Sequence, residues 1–125
     1  TTTLYAKDSD EYKNDMKKHS KRWIELPYNP SAEHFSRIFF VLIDKLLNQC
    51  VMQNGEKSVE LYSIIVHETA TGYAQCFRED AYSTKMGLIN LDEIIFSDEI
   101  KNEWNDFDFY EQLKNGNKFI NPKEC

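Results

Sequence analysis

Glycine is scarce in this sequence, and its few positions lie far apart. The chain has four glycines in 125 residues, at Gly55, Gly72, Gly87 and Gly116. A phosphate-binding loop needs glycines close together, because its backbone must turn tightly and approach the ligand. The sequence accordingly contains no GxGxxG, Walker A or GxSxG motif and no protein-kinase motif set. No cofactor is predicted, but an enzyme stays open because many active sites have no local signature.

Cysteines and long apolar runs are also few. Three cysteines, at positions 50, 76 and 125, form no CxxC pair and are odd in number. This pattern predicts free thiols in a reducing compartment, with the cytoplasm as the default location. The sequence does not contain the basic segment followed by an apolar segment that is typical of a secretory signal, so none is predicted. The longest apolar run, Ile38 to Ile43, is far too short to cross a membrane, so no membrane association is predicted.

Basic residues are outnumbered. The chain has 15 Lys and Arg against 21 Asp and Glu, which gives a net charge of −6. Nucleic acids and anionic membrane surfaces would be repelled by this charge, so neither is a predicted partner. A basic protein is the partner that charge complementarity favours.

The most apolar stretch predicts a central helix over residues 30–53. Asn29 would be its N-cap, Pro30 its first residue and Asn54-Gly55 its end. Its apolar residues recur at helical spacing: Phe35, Ile38, Phe39, Leu42, Ile43, Leu46, Leu47, Cys50 and Val51. A first helix is predicted over residues 7–24, with Asp8 or Ser9 as its N-cap.

Residues 58–68 change to a β-branched and aromatic pattern, which predicts a strand. A loop at 70–72 and a returning strand at 73–78 would form a hairpin, and 84–89 could add a third strand. Further helices are predicted at 91–96 and from Ser97 to about Lys114. The predicted fold is α+β and occupies one domain, 1–125. It has two N-terminal helices, two to three antiparallel strands in one layer on the central helix, and one or two C-terminal helices.

One enzyme hypothesis rests on the hairpin. With a two-residue loop, His67 and Cys76 would lie opposite each other and could form a thiolate nucleophile, whereas a longer loop would separate them. The site would then lie in a cleft between helix 30–53 and the sheet. The residues to test would be His67, Cys76, Glu79, Asp80 and Tyr82. The three histidines are scattered, so no metal site is predicted.

The segment 92–111 is the most unusual part of the sequence. It carries eight acidic residues and a single base, and Trp104, Phe107, Phe109 and Tyr110 are interleaved with the acids. An amphipathic helix with a solvated acidic face would explain it, and so would a protein-binding surface with aromatic anchors. The predicted partner-binding residues are Asp98, Glu99, Glu103, Trp104, Asp106, Phe107, Asp108 and Tyr110.

These features favour a small acidic binding protein. The leading hypothesis is a bacterial immunity or inhibitor protein that neutralises a basic toxin, such as a nuclease, by blocking its phosphate-attracting site. One alternative is the small enzyme with its cleft beside His67. Another is a phage or adaptor protein that binds a host factor. The oligomeric state stays open.

Overall fold

A computed structural model describes residues 1–53 and 59–120. Within these residues, five α-helices and one 3-10 turn alternate with seven short strands. In chain order the elements are β1 (Thr2–Tyr5), α1 (Asp10–His19), β2 (Trp23–Leu26), α2 (Ala32–Gln49), β3 (Cys50–Val51), β4 (Ser63–His67), β5 (Tyr73–Phe77), α3 (Arg78–Ala81), a 3-10 turn (Leu91–Glu93), β6 (Ile95–Phe96), α4 (Asp98–Lys101), α5 (Phe109–Lys114) and β7 (Phe119–Ile120). The predicted mixture of helices and strands is confirmed, and the placement of several elements differs.

Helix α1 is shorter than predicted because the chain after it forms a strand. Ser9, one of the two predicted N-caps, caps the helix by accepting a hydrogen bond from the backbone N–H of Tyr12. The predicted helix to residue 24 is interrupted by β2, which pairs in parallel with β1 and antiparallel with β6.

Helix α2 is the central element, and Ser31 rather than Asn29 caps its N-terminus. The Ser31 hydroxyl accepts from the His34 backbone N–H, and Pro30 precedes the helix. Phe40 is fully buried whereas Phe39 is 42% exposed, so the buried stripe is rotated from the predicted one. The helix ends at Gln49, and β3 pairs in parallel with β7. The predicted stop at residues 54–55 lies outside the described residues.

Strands β4 and β5 form the predicted hairpin, which packs against α2. No third strand joins it in the described part of the chain, and residues 84–89 form bends and irregular chain. The predicted single sheet is therefore replaced by three small ones: β1-β2-β6, β3-β7 and β4-β5. The predicted helix from Ser97 to Lys114 is divided into α4 and α5 by turns.

Two apolar clusters meet on α2. One joins β2, α2 and α5 through Leu26, Ile38 and Leu113. The other joins α2 to the hairpin and α3 through Phe40, Val41 and Cys76. The two clusters fix α2 between the hairpin and the C-terminal segment. Among the residues described, no helix combines the length and apolar character needed to span a membrane.

Candidate functional site

A cleft of about 360 Å³ opens between the start of α2 and the end of β4. Its lining includes Ser31, Phe35 and Phe39 from the helix side and Val66, His67 and Glu68 from the strand side. The rings of Phe35 and Phe39 are one helical turn apart, nearly parallel, with centroids separated by 5.8 Å. They give the cleft an aromatic wall, which suits a flat ligand.

The loop after β4 holds the polar side of this cleft in place. The backbone N–H groups of Glu68 and Thr69 both donate to the carbonyl of Gly72, at 3.0 and 3.2 Å. The Gly72 N–H in turn donates to the Thr69 hydroxyl at 2.8 Å. A β-carbon at Gly72 would approach that hydroxyl to 2.9 Å, so the tight loop favours glycine there.

Glu68 and His67 are the two titratable residues at the cleft. The Glu68 carboxylate is exposed and makes neither an ion pair nor a hydrogen bond with any described residue, so it can accept from a ligand. The His67 ring lies beside Tyr73, with centroids 5.7 Å apart. The cleft therefore combines a flat apolar wall with one carboxylate and one imidazole.

The predicted Cys76–His67 pair is not formed. In the observed register His67 pairs with Tyr73 and Cys76 pairs with Ile64, because the hairpin loop has five residues, 68–72, rather than two. Cys76 is 1% exposed. Its burial, together with the nearby carboxylate of Asp80, raises the pKa of the thiol to about 11. The thiol is thus a buried apolar group and not a nucleophile.

Cys76 should resist alkylation in the folded protein. At pH 8, we expect iodoacetamide to modify it at least about 100-fold more slowly than in the urea-unfolded chain, because burial suppresses both access and thiolate. Rates can be measured by mass spectrometry of the Cys76 peptide in a Cys125→Ser variant. The half-buried Cys50 serves as the internal comparison. Similar Cys76 rates with and without urea would contradict its assignment as an inert core group.

The remaining residues of the enzyme hypothesis lie at the other end of the hairpin. The Asp80 carboxylate accepts from the Phe77 backbone N–H, and Glu79 is exposed on α3. The Tyr82 hydroxyl donates to the buried carboxylate of Asp44. Of the five candidates, only His67 lines the cleft.

Sequence reasoning missed two buried charged residues on α2. Arg37 donates to the backbone carbonyls of Asp80, Met86 and Gly87. Two helical turns further along, the Asp44 carboxylate accepts two hydrogen bonds from the Arg78 guanidinium at 2.9 and 3.1 Å. The signal was present: both charges interrupt an apolar helix, and they lie seven residues apart on the same face.

The acidic segment 92–111 does not form one continuous face. Asp98 and Glu99 lie in the first turn of α4, where acids favour the helix dipole. The Glu103 carboxylate pairs with Arg22, while Tyr110 is buried. Phe107 is exposed beside Lys101, and Asp106 accepts from the backbone N–H of Asp108 and from the Gln112 side chain. That these residues bind a partner stays a prediction.

Metal-ligating side chains are dispersed. Over residues 1–53 and 59–120, no three His, Cys, Asp or Glu side chains come close enough together to hold a metal ion.

Comparison with known proteins finds that the chain is similar to two enzymes. No protein-family profile matches the chain. Two curated relatives are synthases, and both come from Helicobacter pylori. They are named 6-carboxy-5,6,7,8-tetrahydropterin synthase. The protein of strain 26695 is 31% identical over 111 residues, which cover 88% of this chain and 56% of the relative. The protein of strain J99 is 30% identical with the same coverage. The chain thus spans about half the length of these relatives.

This similarity overturns the predicted immunity protein. The relatives are enzymes, so the predictions of a non-enzymatic toxin inhibitor and of a basic toxin partner are wrong. The physical reason is that several acids of the segment already have partners within the chain. Arg22 pairs with Glu103, and Lys114 pairs with Asp92 and Glu111. The similarity favours the enzyme hypothesis that was kept as an alternative.

Proposed function

We propose that this chain is a tetrahydropterin synthase-like protein and that its cleft binds the pterin ring. The observation that carries the proposal is the similarity to the two synthases. The match covers 111 of the 125 residues, so about 14 residues lie outside it. Because these lie at the two ends of the chain if the match is unbroken, such a match must include the cleft residues 30–68. Because the chain spans about half the relatives' length, the proposal concerns ligand binding first and the complete synthase reaction second.

The chemistry of the cleft supports a pterin ligand. A pterin presents an amino-pyrimidinone edge with adjacent N–H donors, and a carboxylate is an acceptor that can take two such hydrogen bonds at once. Glu68 supplies a carboxylate without a partner among the described residues. The stacked rings of Phe35 and Phe39 offer a flat surface for the bicycle. His67 is the side chain at the cleft that could give or take a proton.

Replacing Glu68 with glutamine should weaken pterin binding about tenfold. The amide keeps one acceptor and loses both the charge and the second acceptor, so the paired hydrogen bonds cannot form. The measurement is isothermal titration with 6-carboxy-5,6,7,8-tetrahydropterin in oxygen-free buffer. Glu79→Gln is the matched control, because Glu79 is an exposed acid at the opposite end of the hairpin.

Two results would contradict this proposal. One is a native chain that does not bind the tetrahydropterin. The other is an equal loss of affinity in the Glu68 and Glu79 variants, which would indicate a general charge effect. A cytoplasmic location and a single domain over 1–125 are kept as part of the proposal, on the cysteine pattern and the chain length alone.

A further inference from the structure

An Asn-Gly pair ends helix α5, away from the cleft beside Glu68. Asn115 follows the last helical residue, and Gly116 has a φ of 82°, in the left-handed region. Both residues are exposed, and apart from its chain neighbours no heavy atom lies within 4 Å of the point where a β-carbon on Gly116 would be. Because glycine has no side chain, nothing shields its backbone nitrogen from the preceding asparagine amide. The second such pair, Asn54-Gly55, lies outside the described residues.

Two backbone hydrogen bonds hold this end of the helix closed. The Gly116 N–H donates to the Leu113 carbonyl at 3.2 Å, and the Asn117 N–H donates to the Gln112 carbonyl at 3.0 Å. This is the Schellman arrangement, in which a left-handed residue after the helix satisfies its last carbonyls. The Gly116 nitrogen is therefore engaged as a donor. The ψ of −4° at Asn115 also turns that nitrogen away from the Asn115 side chain, so the two groups can react only after ψ rotates and the cap opens.

We propose that Asn115 is a site of spontaneous modification whose reaction is controlled by the opening of this cap. In the open state the Gly116 nitrogen bonds to the side-chain carbonyl carbon of Asn115. The side-chain nitrogen leaves as ammonia with the proton that the Gly116 nitrogen loses, and a five-membered cyclic imide remains. Water then adds to one of the two imide carbonyl carbons and breaks its bond to nitrogen, which gives either aspartate or isoaspartate. The reaction needs no other reactant and does not depend on the proposed pterin binding.

Isoaspartate at position 115 changes how the C-terminal segment packs. It routes the main chain through the former side-chain carbonyl, which adds a methylene to the backbone and leaves a free carboxylate beside it. The two capping hydrogen bonds cannot form as they do in the unmodified chain. Leu113 of α5 is buried in the cluster with Leu26 and Ile38, and β7 begins shortly after the cap, at Phe119. We therefore expect the modification to loosen both the packing of α5 and the pairing of β7 with β3.

The test compares the rate of deamidation in the folded full chain with the rate in urea, at one pH and temperature. Mass spectrometry of the peptide that contains Asn115 measures the conversion, and electron-transfer fragmentation distinguishes isoaspartate from aspartate. We expect the folded rate to be at least about tenfold lower, because the reaction must wait for the cap to open. Hydrogen exchange of the Gly116 amide should be slowed by a similar factor, since it needs the same opening. In urea, Asn54-Gly55 is the internal reference and should react at a similar rate.

Two variants at one exposed position separate the effect of the cap from that of the Asn-Gly pair. Asn117→Pro removes the N–H that donates to Gln112 and leaves Asn115 and Gly116 in place, so the folded rate should rise about tenfold. Asn117→Ala keeps that N–H and should leave the rate unchanged.

Three results would overturn the proposal: equal rates in the folded and unfolded native chain, a proline variant that reacts no faster than the alanine variant, or an Asn115 that does not react in urea. An isoaspartate fraction of the aged protein that keeps native exchange protection over α5 and β7 would contradict the expected loosening. The comparison of the native chain with and without urea needs no variant, so it decides the proposal even if Asn117→Pro does not fold.

Discussion

Replacing Arg37 with alanine is expected to lower the free energy of unfolding by about 3–5 kcal/mol. Arg37 is 2% exposed, and its guanidinium donates to three backbone carbonyls, those of Asp80, Met86 and Gly87. The substitution removes these donors and leaves an unfilled space beside α2. The contacts join α2 to α3 and to the chain after it, so residues 80–87 should also lose protection. Urea denaturation gives the free energy, and amide hydrogen exchange reports on the loop.

Two further variants separate the causes of this loss. Arg37→Met keeps much of the side-chain volume and removes the donors, so it should recover part of the stability and none of the protection at 80–87. Arg22→Ala is the matched surface control. Its side chain is 41% exposed and pairs with the exposed Glu103, so its removal should cost no more than about 1 kcal/mol. Equal small losses in the Arg37 and Arg22 variants would show that the buried contacts contribute little.

The two longest helices could be predicted because their signals are local. Ser9 followed by Asp10 and Glu11 indicates a helix start, and the apolar spacing of α2 indicates a buried helix. The cap of α2 was misplaced because Asn29-Pro30 and Ser31 are both suitable start signals. The hydroxyl of Ser31 reaches the backbone N–H of His34, and this contact decides where the helix begins.

The short strands could not be predicted because their partners are distant in sequence. β3 has two residues and pairs with β7 near the other end of the chain, and β2 pairs with β6 across the whole central segment. Two to four residues carry too little periodicity to distinguish a strand from a helix end. The predicted helix through residue 24 failed for this reason.

The cleft beside Glu68 could be predicted only in part from the sequence, for a related reason. The sequence predicted His67 as part of a catalytic pair. The cleft beside it could not be predicted, because it depends on the hairpin register and on how the hairpin packs against α2. Nothing in the sequence around Glu68 marked it as a binding residue. The net acidity predicted a basic partner wrongly, because ion pairs within the fold cannot be read from net charge.

The carboxylate of Asp44 is the other buried charge on α2, and its environment defines the second large prediction. It is 5% exposed and accepts hydrogen bonds from the Arg78 guanidinium and the Tyr82 hydroxyl. Burial alone would raise its pKa, but the hydrogen bonds from Arg78 and Tyr82 and the charge of Arg78 outweigh it and hold the pKa below the ordinary aspartate value. Arg78 also donates to the carbonyl of Leu61, so the network joins α2 to the chain before β4 and after β5, at the open end of the hairpin.

Asp44→Ala should lower the free energy of unfolding at pH 7 by about 2–3 kcal/mol. The loss stays below that of a fully buried ion pair because the Arg78 side chain is 45% exposed and can regain water. Asp15→Ala is the matched control, since Asp15 is an exposed helical acid that lies 3.8 Å from the exposed ring of His19. Tyr82→Phe, combined with Asp44→Ala in a double-mutant cycle, measures how much of the loss belongs to the hydroxyl contact.

The stabilisation by Asp44 should also depend on pH in a defined direction. Because its pKa is lower in the folded than in the unfolded chain, its contribution is complete above the unfolded value of about 4 and is lost as pH falls through the folded value. The Asp44→Asn variant has no carboxylate at this position and therefore lacks this pH-dependent contribution. The gap in unfolding free energy between the native chain and Asp44→Asn should therefore be widest near neutral pH and should narrow below about pH 4. A gap that stays constant from neutral pH to about pH 2.5 would mean that the charge of Asp44 does not stabilise the folded state.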